Sequence, residues 1–134
     1  MMKKLITFFT VITMFSAVIS CEKDAEIPPT MTLKTGENYT SEDATLPKGS
    51  SVTVGVVVEK TEDDLKTYNV SVAYDNATTT STVENYSISG TEKSHYEKDV
   101  TLTLRNQAGI ETYYFTITDT DGNIVKKSLT FTVE

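Results

Sequence analysis

The stretch "GIETYYFTITDTDGNIVKKSLTFTV", residues 109–133, decides the fold. Tyr113, Phe115 and Ile117 fall on one face of an extended chain, and Thr112, Tyr114, Thr116 and Thr118 on the other. After "DTDGN" the alternation resumes with Val125, Leu129, Phe131 and Val133, while Lys127 breaks it and is expected at the sheet rim. A repeat of two is the spacing of a half-buried strand. Asp-Gly between two such runs signals a hairpin, because glycine supplies the positive φ that the turn requires.

The same period runs upstream. "SSVTVGVVVEK" sets Val52, Val54, Val56 and Val58 against Thr53, Gly55 and Val57. "LKTYNVSVAYD" sets Tyr68, Val70, Val72 and Tyr74 against Asn69, Ser71 and Ala73. "KDVTLTLR" places Val100, Leu102 and Leu104 together. A short opening strand is expected near Met31 to Lys34 and a weaker one around Tyr86 to Ser89, and no run of ten or more residues carries a helical stripe. About seven short strands within roughly 100 residues predict an all-β, immunoglobulin-like antiparallel sandwich over residues 30–134.

The final hairpin resembles that of immunoglobulin-like, polycystic-kidney-disease-type and fibronectin-type modules of bacterial surface proteins. The resemblance implies that Tyr113 forms a corner by bonding the backbone and that Phe115 is a core residue. It also implies that Val54 or Val56 faces Phe115, and that Tyr68 takes the place of a central tryptophan.

The amino terminus reads differently. Lys3 and Lys4 precede an apolar run of 15 residues, Leu5 to Ile19, with no acid before Glu22. A membrane-spanning helix needs about 20 apolar residues and the core of an export signal about 7–15. Residues 1–20 are therefore read as a signal peptide. The run ends "VISC", which resembles the lipobox of bacterial lipoproteins, and that family implies that Cys21 is lipidated and becomes the first residue of the mature chain. Residues 21–29, with Glu22, Lys23, Asp24, Glu26 and the pair Pro28-Pro29, read as a charged, proline-stiffened tether. "CEKDAE" also looks like the surface-export signals of Bacteroidota-type lipoproteins. It favours an outer-membrane location on the cell surface over one facing the periplasm.

Removing the leader leaves ten basic and nineteen acidic residues, a net charge of −9, which argues against nucleic acid as a partner. The single cysteine rules out an internal disulfide, so the fold rests on its apolar core. The chain has no nucleophile elbow, no His-Glu-x-x-His and no phosphate loop, so neither an enzyme nor a cofactor is expected. Asp119, Asp121 and Asn123 begin like a calcium loop, but Gly122 falls too early and Lys126 and Lys127 stand where acids would be wanted. A hairpin turn is the better reading. Glu62, Asp63 and Asp64 read as a solvated loop, and Ser94 beside His95 is no evidence of a catalytic pair. Tyr114, out of phase with the core and flanked by Thr112 and Thr116, marks a possible contact surface, with Asn69, Ser71, Lys126 and Ser128 expected on adjacent strands. The predicted function is a non-catalytic, lipid-anchored binding module accessory to a larger complex. The alternative is a glycan-binding lipoprotein of a polysaccharide-capture system.

Overall fold

The computed structural model describes residues 26–134. The expected signal peptide, Cys21 and the charged run after it as far as Ala25 lie outside the described residues.

Among the described residues eight strands form two sheets: β1 (Thr30–Leu33), β2 (Ala44–Leu46), β3 (Ser51–Glu59), β4 (Leu65–Tyr74), β5 (Ser81–Ser87), β6 (His95–Thr103), β7 (Gly109–Asp119) and β8 (Ile124–Val133). One sheet has the order β1-β3-β6 and the other β2-β8-β7-β4-β5. All pairings are antiparallel except β2 with β8. This is an immunoglobulin-like β-sandwich. A 3-10 turn, Gly90–Lys93, joins β5 to β6.

The alternating side chains make the core. Val54, Val56, Val58, Tyr68, Val70, Phe115, Ile117 and Phe131 are all fully buried between the sheets. Each large apolar side chain so placed contributes about 1.5–3 kcal/mol relative to exposure. Tyr68 occupies the centre, its ring 5.4 Å from that of Tyr96.

One strand escaped the sequence. After β1 the chain still follows β3, with Lys34 N–H donating to the Gly55 carbonyl and Thr40 N–H to that of Thr53. It then crosses to the other sheet, where Asp43 Oδ1 accepts the Thr130 amide at 2.8 Å and the three residues of β2 pair with residues 131–133 of β8. The rest of that edge of β8 lies beyond β2. Lys127 lies there, in the core-facing phase but exposed, opposite Phe115 of β7. A charge in that position discourages pairing with a second chain.

The corner at Tyr113 differs from the expectation. Its hydroxyl donates to a side chain, Glu111 Oε2, at 2.8 Å, rather than to the backbone. Glu111 is wholly buried, and its Oε1 also accepts the Arg105 amide (2.9 Å) and Nε (3.0 Å). Arg105 in turn lies 4.1 Å over the Tyr74 ring and pairs with Asp75, whose Oδ1 accepts the Ile110 amide. Burial, reinforced by the adjacent Glu111 carboxylate, raises the Tyr113 phenol well above its usual range.

Candidate functional site

The outer face of the five-stranded sheet gathers the residues expected around Tyr114. In the antiparallel register Tyr114 lies directly between Ser71 of β4 and Ser128 of β8. Thr116 lies between Asn69 and Lys126, and Thr112 between Ala73 and Thr130. Directly opposed side chains stand about 4.5–5.5 Å apart at Cβ, so these rows form one continuous surface. Lys126 Nζ stands 5.1 Å over the Tyr114 ring, and the Thr112 and Thr130 hydroxyls meet at 3.2 Å. Thr112, Tyr114 and Thr116 are all half-buried.

Thr130 was not foreseen in this group. Its partner Thr112 becomes apparent only from the β7–β8 register, although its phase on β8 is legible. Beyond it the face runs into a shallow polar depression of about 270 Å³ lined by Asp43, Ala44, Thr45, Thr130 and Thr132. The surface is therefore hydroxyl-rich, with Lys126 supplying positive charge. Such a face donates and accepts hydrogen bonds and offers one aromatic ring for stacking.

The remaining candidates are accounted for by local structure. Asp119 is buried, and its Oδ1 accepts the amides of Asp121 (3.0 Å) and Asn123 (2.8 Å) while Oδ2 accepts Asn123 Nδ2 (3.0 Å). Gly122 has φ +95°. The carboxylate holds a hairpin turn together. Among the described residues no group of three or more His, Cys, Asp or Glu is arranged to hold a metal ion. Asp64 pairs with Lys60 at 2.9 Å, which lowers its pKa through that hydrogen bond and the adjacent charge. Ser94 donates to the Thr91 carbonyl and does not engage His95. The His95 ring instead lies between two carboxylates, Nδ1 to Glu59 at 2.5 Å and Nε2 to Glu97 at 3.0 Å. Both nitrogens then donate, which favours the imidazolium and raises the His95 pKa, Glu97 first and Glu59 second.

No protein-family model matches this chain, and no curated protein matches it. Among solved structures it is similar to murine CRIg, at 14% identity and TM-score 0.43 over 79% of this chain and 98% of the other. A non-cellulosomal cohesin from the hyperthermophilic archaeon Archaeoglobus fulgidus gives 16% identity and TM-score 0.40, with 81% and 92% covered. A β-glucosidase from Listeria innocua gives 16% identity and TM-score 0.39 over 78% of this chain and 16% of that enzyme.

Proposed function

We propose that this protein is a non-catalytic interaction module, anchored by lipid on Cys21 in the outer membrane with its sandwich at the cell surface. It engages a larger complex through the outer face of the five-stranded sheet. The observation that carries the reading is the row Ser71–Tyr114–Ser128, flanked by Thr112 and Thr116, which presents a supported aromatic ring among hydroxyl groups. Aromatic residues whose surroundings hold them rigid lose little entropy on contact and dominate interface energetics. A glycan is the second reading, favoured by the same ring, because sugar faces stack on aromatic rings while their hydroxyls need hydroxyl and amide partners.

Two experiments test this. Protease shaving of intact cells, with Cys21→Ala as the unanchored control, is expected to remove the wild-type domain and to find the variant released from membranes. Retention of Cys21→Ala on membranes would sink the anchor, and protection of the wild type until the outer membrane is opened would reverse the topology. Purification from detergent-solubilised membranes is expected to recover a partner that Tyr114→Ala loses by roughly 30-fold, the effect of a residue contributing about 2 kcal/mol. The same substitution should cost about 1 kcal/mol or less in folding stability. A partner recovered equally by wild type and Tyr114→Ala would move the contact elsewhere.

A further inference from the structure

The β5–β6 edge of the sandwich holds a second cluster, independent of the outer face. The chain crosses from β5 to β6 through the short 3-10 turn, and β5 and β6 are the terminal strands of their sheets on that side. Register places Tyr86 beside Tyr68 and Glu84 beside Val70, so both β5 side chains share the core-facing side of their sheet. From the opposite sheet Tyr96 and Lys98 project inward in phase with Val100 and Leu102.

Three tyrosine rings meet there. Tyr68 and Tyr86 are nearly parallel, 13° apart with centroids at 6.4 Å, and Tyr96 is tilted by 50° against Tyr68 at 5.4 Å. Burial, reinforced by nearby acids, pushes the Tyr96 phenol up to about 12. The Lys98 ammonium sits 4.4 Å from the centre of the Tyr86 ring. Glu84 Oε2 and the Tyr68 hydroxyl are both buried without a hydrogen-bond partner. Among the described residues neither Glu84 nor Lys98 has an ion-pair partner.

A buried carboxylate oxygen without a donor or counter-ion is costly to keep. Aromatic faces attract cations, most strongly when water is excluded. The group that meets both needs is a cation with little demand for hydrogen-bond acceptors. An alkylated ammonium fits that description, because it has few or no N–H groups to leave unsatisfied. Lys98 answers the need only in part, since its ammonium is spent on Tyr86 and forms no ion pair with Glu84.

We propose that Tyr68, Tyr86, Tyr96 and Glu84 form a cage for an alkylated ammonium group, with Lys98 the occupant that such a ligand displaces. The test follows the tyrosine ring resonances during titration with choline, and with 3,3-dimethylbutan-1-ol as its uncharged isostere. Choline is expected to shift the rings of Tyr68, Tyr86 and Tyr96, and the isostere is not. Lys98→Met keeps the apolar stem, removes the competing charge and should tighten choline binding about tenfold. Glu84→Gln and Tyr86→Leu, both at the sheet edge, should weaken it by a similar factor. Phosphatidylcholine vesicles that capture wild type but not Tyr86→Leu would identify a lipid headgroup as the source, and a response to free choline alone would identify a soluble ligand. Equal response to choline and its isostere, or no choline response even in folded Lys98→Met, would overturn the cage and leave Lys98 as a plug for the sheet edge.

Discussion

Of the acidic side chains that reach into this sandwich, Glu111 and Glu84 differ most in what surrounds them. Glu111, at one end of β7, accepts from the Arg105 amide, the Arg105 guanidinium and the Tyr113 hydroxyl. Glu84, on the edge strand β5, has an oxygen equally hidden from water that accepts nothing. A carboxylate with both oxygens engaged is part of the fold, tying the loop after β6 to the start of β7. One with a hidden oxygen that meets no donor carries a cost, which becomes intelligible if something else supplies the missing cation.

The sharpest way to break the comparison is to remove Glu111. Glu111→Ala leaves the Tyr113 hydroxyl and the Arg105 amide without an acceptor, while the Arg105 guanidinium keeps Asp75. At about 1–3 kcal/mol for each stranded group, a loss of about 2–5 kcal/mol is expected. Urea unfolding should show the midpoint collapse with its slope preserved. A loss below about 1 kcal/mol would mean that water replaces the carboxylate freely and that this end of the sandwich is open. Asp119 is the intermediate case, buried with three donors, all within its own hairpin. Asp119→Ala should cost about 1.5–3 kcal/mol, the range for hydrogen bonds to a charged group, as read from the same denaturation curves.

These contrasts explain what was readable in advance. The long strands were legible because their apolar residues alternate, and the inward set of β7 announced itself through Tyr113, Phe115 and Ile117. By contrast β5, expected around Tyr86 to Ser89, runs from Ser81 to Ser87 with no apolar alternation to mark it. Glu111 and Asp119 extend that inward phase by two residues in each direction, and Lys98 and Lys127 lie in the inward phases of β6 and β8. A charge in phase with a core is therefore a signal that alternation can supply. Its partner is not, because Arg105 reaches Glu111 through a loop and Tyr86 reaches Tyr68 through the β4–β5 register. The neighbours of Tyr114 could be guessed, since that face depends only on which strands adjoin. β2 could not be: it has three residues, and it is defined by parallel pairing with a strand more than eighty residues later.

Glu84→Gln sharpens the comparison from the other side. The amide removes an uncompensated charge and offers a donor toward the Tyr68 hydroxyl, so stability should hold or rise by up to about 1 kcal/mol. The opposite sign from Glu111→Ala is the informative outcome. A loss comparable to that of Glu111→Ala, measured by the same urea titration, would mean that Glu84 is a structural acid after all.

The smallest effect belongs to the outer face of the three-stranded sheet, where acids are satisfied but exposed. Lys34 bridges Glu97 at 3.1 Å and Asp99 at 2.9 Å, and the Tyr39 hydroxyl also donates to Asp99. The ladder lies flat over Gly55, where an added Cβ would meet the Lys34 stem at 2.6 Å. His95 closes its far end between Glu59 and Glu97. Because these carboxylates raise its pKa in the folded state, His95 favours folding fully below its unfolded value of about 6.5, and the contribution disappears as pH rises through the folded value. Melting temperatures of wild type and His95→Gln should therefore differ at pH 6 and converge by pH 9, with the gap at pH 6 narrowing as salt is added. A gap that persists unchanged at pH 9 would show that the imidazole acts by packing or neutral hydrogen bonding. The exposed ladder would then owe less to charge than the buried Glu111 network does.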